Sequence, residues 1–202
     1  MNDQAEGSRF AYDKVAYPAA VVDALAPDRL RATALLHGWR APEPATASVL
    51  EIGCGVGLNL IAFASVTPDA RAVGFDLAAE AIDRGRSLVE VCGLRNVDLH
   101  VGDAMTYPRD GEKFDYVVCH GVLSWVPEAV RIAIIELMSA RLAPGGLGYL
   151  SFDCLPAAAA KASIVPFLRK WVGDVTDPVE AIKKGAQGIA MLNRAQRESS
   201  RL

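Results

Sequence analysis

Five short apolar runs punctuate the middle of the chain, at residues 48–53, 71–76, 97–101, 114–119 and 147–152. Several are near-continuous hydrophobic stretches, the pattern of strands covered on both faces rather than of a sheet with one wet side. Amphipathic segments fall between them at residues 57–64, 78–91 and 127–142, the last with Val130, Ile134 and Leu137 on one helical face. Gly93 follows the second segment and Pro144-Gly145-Gly146 the third, as helix stop signals do. This alternation predicts an α/β fold built on a doubly wound, mainly parallel sheet.

The flanks read differently. Ahead of the first strand, residues 27–37 form a predicted helix opened by Pro27 and closed by Gly38, and a proline-rich linker at 41–44 leads into the sheet. Beyond Asp153 no strand signal appears, and residues 156–162 and 178–197 favour helix, with Val179, Ile182, Ile189 and Leu192 at helical spacing. Three parts are therefore expected: an amino-terminal arm and helix over 1–45, a sheet core over 46–155, and a helical extension over 156–202 that either completes the fold with helices or starts a further domain.

Composition narrows the function classes. A chain of 202 residues, 51% hydrophobic and 22% charged, suffices for one sizeable core. Its net charge of -3, with no long lysine or arginine run, leaves no electrostatic footprint for nucleic acid. Cys54, Cys92, Cys119 and Cys154 form no C-x-x-C pair and read as small buried hydrophobes, so no metal is expected. Residues 1–25 carry Asp3, Glu6, Arg9, Asp13 and Lys14 in place of an apolar signal core, and no apolar run approaches the roughly 20 residues of a membrane span. A cytoplasmic protein with no membrane partner follows as the expectation.

The chemistry is concentrated at the carboxyl ends of the predicted strands. In Val49-Leu50-Glu51-Ile52-Gly53-Cys54-Gly55-Val56-Gly57 a strand breaks into a glycine turn just before a helix, a construction that brings backbone close to a ligand and offers unpaired N–H groups. The next strand ends in Asp76, nineteen positions after Gly57, followed by Leu77; a carboxylate there suits both ribose hydroxyls of an adenosine ligand. Leu58 after Gly57 departs from the G-x-G-x-x-G of nicotinamide dinucleotide sites. Glu51, on the strand itself, needs a donor or a cation as partner if buried. Asp103, followed by Ala104, stands where it could accept from an adenine amino group, with a capping role as the other reading. His120 opens the run His120-Gly121-Val122-Leu123-Ser124-Trp125-Val126-Pro127 after the fourth strand, either as a pocket or substrate-side residue or as a hydrogen-bonded wall residue.

Across residues 49–153 the order of E-x-G-x-G-x-G, ribose acid, adenine acid and L-x-P-G-G turn resembles the class I S-adenosylmethionine-dependent methyltransferases. Tyr12-Asp13, Tyr17-Pro18, Leu35-Leu36-His37-Gly38 and the run from His120 narrow the likeness to bacterial methyltransferases with a methyltransferase regulatory domain, a group that includes protein-lysine methyltransferases. The resemblance implies a Rossmann-like core that binds S-adenosylmethionine and releases S-adenosylhomocysteine. It implies cofactor contacts from Glu51, Gly53, Cys54, Gly55, Gly57, Asp76, Leu77, Asp103, Ala104 and His120. Tyr12, Tyr17 and His120 become the candidates for lining a channel to a protein-lysine or small-molecule acceptor. Two other readings stay open, a module that holds the cofactor without turnover and a nicotinamide-dependent reductase.

Overall fold

The computed structural model describes residues 19–199, which form two compact units, residues 19–152 and 153–199. In the first unit, strands β1 (Ser48–Ile52), β2 (Arg71–Asp76), β3 (Val97–Val101), β4 (Phe114–Cys119) and β5 (Leu142–Leu150) build one sheet in the order β3-β2-β1-β4-β5. Every pairing is parallel. Four helices accompany it, α1 (Pro27–Leu36), α2 (Leu58–Val66), α3 (Ala79–Val91) and α4 (Glu128–Arg141).

Burial explains why these segments are strands. Leu50, Val73 and Val117, neighbours across β2-β1-β4, are all but inaccessible to solvent, with apolar layers on both sides of the sheet. One layer joins Val49, Ala72, Tyr116 and Val118 to Leu30 of α1, Leu60 and Phe63 of α2 and Ile82 of α3. The other joins Leu50, Ile52, Phe75, Phe114 and Cys119 to Ile134 and Leu137 of α4. The chain winds outward from β1 to β3, then returns to lay β4 on the other side of β1. Beyond the carboxyl ends of β1 and β4 this reversal opens the crevice in which α/β sheets hold their ligands.

The expected elements are present, but two have displaced boundaries: the strand expected at 147–152 spans Leu142–Leu150, and the helix expected at 156–162 spans Ala159–Val172. β5 begins at Leu142 and not at Leu147, so the Pro144-Gly145-Gly146 segment lies inside the strand. Pairing jumps from Phe114↔Leu142 to Tyr116↔Leu147, so five residues of β5 pass two of β4. Pro144 cannot donate to a ladder, and Gly145 has φ 78°, so the bulge takes up the residues that would break a regular strand.

The second unit is a helical pair, α5 (Ala159–Val172) and α6 (Pro178–Ser199). Trp171 lies against Gly188, and its Nε1–H donates to the Lys184 carbonyl at 3.1 Å. Gly173, at φ 64°, ends α5, and Asp177 Oδ1 accepts from the Glu180 N–H at the start of α6. Val179, Ile182 and Ile189 keep their helical spacing and are exposed. Among the described residues no helix is long and apolar enough to cross a membrane.

Candidate functional site

The turn from β1 into α2 is tied to the end of β2. Gly53 and Cys54 N–H both donate to the Phe75 carbonyl, at 2.9 and 3.1 Å. Gly55 N–H donates to Asp76 Oδ2 at 2.8 Å, and Asp76 Oδ1 accepts the Ala78 N–H at 2.9 Å. One carboxylate thus fixes the turns after both strands, and each of its oxygens retains a further acceptor site.

Two glycines show why the turn has its sequence. Gly53 has φ 71°, and a Cβ there would lie 2.5 Å from Val122 Cγ2, so the turn and the loop after β4 meet at this point. Gly55 also has positive φ, 56°, yet a Cβ there would meet nothing within 4 Å. Its absence leaves open space above the backbone, as a close-lying ligand requires. Gly57 begins α2 with no side-chain cap, leaving N–H groups of the first helical turn without that partner.

Glu51 is buried, 4% exposed, on the sheet face shared with α2. Asn59 Nδ2 donates to its Oε1 at 2.8 Å, whereas Oε2 has no hydrogen-bond partner among the described residues. Burial pushes the carboxyl up to about 7; the Asn59 hydrogen bond pulls it down and the Asp76 carboxylate raises it further. Glu51 and Asn59 border a recess whose other walls include Leu25, Phe63 and Val118. Burial, with Glu51 and Asp76 nearby, also raises the Cys54 thiol, and Cys119 is pushed up to about 12. Both remain neutral thiols and serve as packing, whereas Cys92 and Cys154 are exposed, against the expectation that all four would be buried.

Along the crevice, Leu77 is exposed, Ala104 is buried and Asp103 is half-buried. Asp103 Oδ1 accepts the Met105 N–H at 2.9 Å, so the side chain braces its own turn. Tyr107, at the end of that turn, stacks on Phe75 with ring centroids 4.1 Å apart. His120 follows β4 with its Nδ1 buried and without a hydrogen-bond partner among the described residues, its ring 6.1 Å from that of Tyr149. Gly121 N–H donates to Ser151 Oγ, and Ser151 N–H to the Cys119 carbonyl, which joins the ends of β4 and β5. Tyr12 and Tyr17 lie outside the described residues. No group of three or more His, Cys, Asp or Glu able to hold a metal occurs among the described residues.

Two site residues escaped the sequence reading. Asn59 is the one polar residue in Leu58-Asn59-Leu60-Ile61-Ala62-Phe63-Ala64, a signal that was available. Gly85 lies in α3, where a Cβ would come 2.3 Å from the Val56 carbonyl oxygen and 2.7 Å from Leu99 Cδ1. Helix propensity alone favours Gly85→Ala by about 1 kcal/mol. The clash is with backbone, so the variant is expected to be destabilised by about 1–3 kcal/mol in urea denaturation, with the glycine turn displaced.

The methyltransferase-domain family model matches residues 49–146. The Rickettsia prowazekii protein RP028 is 36% identical over 149 residues, 74% of this chain and 60% of its own length. RP789 from the same organism is 38% identical over 148 residues, 72% of this chain but 26% of that protein. PKMT2 from Rickettsia typhi, solved in complex with AdoHcy, superposes with a TM-score of 0.73 at 33% identity, covering 79% of this chain and 31% of PKMT2. This chain therefore spans between about a quarter and three fifths of the length of these three proteins.

Proposed function

Since this chain carries a class I S-adenosylmethionine-dependent methyltransferase domain, we propose that it catalyses transfer of the donor's methyl group to a protein lysine side chain or to a small-molecule nucleophile. The observation that carries this reading is the pairing of Glu51, a buried carboxylate with one unpartnered oxygen, with a glycine turn that is open above Gly55 and pinned by Asp76. These residues fit a ligand with a cation at one end and a ribose at the other. Glu51 receives the ammonium, directly or through a neighbouring backbone group. Asp76 accepts from the ribose hydroxyls through the lone pairs its backbone bonds leave free. Leu77 and Ala104 offer apolar contact to the adenine, and Asp103 accepts from its amino group.

The donor supplies an electrophilic methyl on a sulfonium, and the protein's work is alignment and exclusion of water. An amine acceptor must first lose its proton, and burial in the crevice lowers its pKa. His120 lines the acceptor side in this reading; an unpartnered ring nitrogen is suited to hold that proton.

Calorimetric titration with S-adenosylmethionine tests the donor site. One-to-one binding is expected for the wild type, and a loss of about a hundredfold, about 2.7 kcal/mol, for Gly55→Asp, whose carboxylate would enter space that is open without ligand. Folded wild-type protein that binds no donor overturns the reading. Methyl transfer to protein lysines, followed by mass spectrometry, then separates the two acceptor classes.

A further inference from the structure

Asn59 sits between Glu51 and the segment that leads into α1. The Val22 backbone N–H donates to Asn59 Oδ1 at 2.9 Å, and Asn59 Nδ2 donates to Glu51 Oε1 at 2.8 Å. The first bond fixes the second. A backbone N–H can only donate, so it must meet the amide oxygen, which turns the amide nitrogen toward the carboxylate. α2 brings no charged side chain to this region, so the amide is the polar group that α2 supplies to Glu51.

We propose that Asn59 is a positioning residue: its amide, oriented by the Val22 N–H, holds Glu51 through Oε1 and leaves Oε2 for the donor's ammonium. The segment around Val22 is thereby coupled to donor binding. This rests on the donor reading above and adds to it the residue that sets the orientation and charge of Glu51. The other ionisable groups acting on or acted on by Glu51 are Asp76 at the end of β2, Cys54 in the glycine turn and Cys119 at the end of β4. Asp76 favours the neutral carboxyl, both thiols stay protonated, and the Asn59 hydrogen bond opposes burial by favouring the anion.

The test uses wild type, Asn59→Leu and Asn59→Asp. The first variant removes both hydrogen bonds while keeping the branched shape of the side chain. The second keeps an acceptor for Val22 but sets a carboxylate against Glu51, so it guards against a packing artefact in the first. Two quantities are read: the Glu51 carboxyl titration in ligand-free protein by carbon NMR, and donor affinity from pH 6 to 9. The Glu51 midpoint is expected to rise by about one pH unit or more in both variants, which lowers the ionised fraction at pH 7 about fivefold. Donor affinity should fall accordingly at pH 7, and the gap between Asn59→Leu and wild type should narrow as pH rises, a narrowing that a purely structural defect would not give and in which the donor's own titration cancels. Donor binding to wild type should also slow hydrogen exchange at the Val22 amide. Wild type that binds donor, with one unchanged midpoint in all three proteins, overturns this proposal alone. Wild type that binds no donor at any pH overturns the donor reading, and this proposal with it.

Discussion

Asp76→Ala is expected to weaken S-adenosylmethionine binding by at least about a hundredfold. Two hydrogen bonds from ribose hydroxyls to a carboxylate contribute about 1.5 kcal/mol each at the low end of charged hydrogen bonds, and their joint loss of about 3 kcal/mol corresponds to that factor. A second contribution comes from the protein alone. Removing the carboxylate leaves the part-buried Gly55 and Ala78 N–H groups without their acceptor, so the glycine turn loosens and stability falls by about 1–2 kcal/mol. Asp76→Asn separates the two, because its single amide oxygen can keep one backbone bond but not both. Its stability should lie between wild type and alanine, with a loss of affinity of about tenfold. The measurements are calorimetric titration and urea denaturation of the same preparations. Affinity for Asp76→Ala within threefold of wild type, alongside the expected loss of stability, would make Asp76 a pin for two turns and nothing more.

The two turns that Asp76 pins show where sequence reasoning reaches and where it stops. Its position at the end of an apolar run, after a glycine turn, is a one-dimensional pattern, because a parallel strand and its following turn are local in the chain. The strands at 48–52, 71–76 and 114–119 were legible because burial on both faces writes itself as continuous hydrophobicity. That the Asp76 side chain also accepts from Gly55 depends on β1 and β2 being neighbours in register, Ile52 beside Phe75. Gly85 is the stronger case. It reads as an ordinary weak spot in a helix, and only the approach of the Val56 carbonyl gives it a reason. The start of β5 was missed because proline and two glycines signal a break, whereas the bulge against Phe114 and Tyr116 absorbs them within the strand. Asp103 shows a different limit. Its brace to the Met105 N–H and a contact to adenine are compatible uses of one carboxylate, so its spacing alone could not choose between them.

Glu51→Gln should stabilise the protein at alkaline pH and weaken donor binding, because the charge that would pair with the ligand's ammonium opposes folding. The carboxyl moves from 4.5 in the unfolded chain to about 7 when folded. Below pH 4.5 it is neutral in both states and costs nothing by this route. As pH rises from 4.5 through 7 the unfolded chain ionises first, and folding is penalised by up to about 3 kcal/mol, a loss complete above pH 7. Glutamine does not titrate, so its stability relative to wild type should climb by about 3 kcal/mol between pH 4.5 and 8.5. Its absolute gain is smaller, since the amide that replaces Oε2 is also buried without a partner and costs about 1–3 kcal/mol. Denaturation midpoints across this pH range test the slope, and a constant difference between the two proteins would mean that Glu51 titrates as it does in the unfolded chain. Donor binding supplies the opposite slope. A ligand ammonium that pairs with ionised Glu51 binds wild type more tightly as pH rises through 7, whereas the glutamine variant should bind more weakly with no such rise. Saturating donor should therefore restore to wild type, above pH 7, the stability that the ligand-free protein gives up.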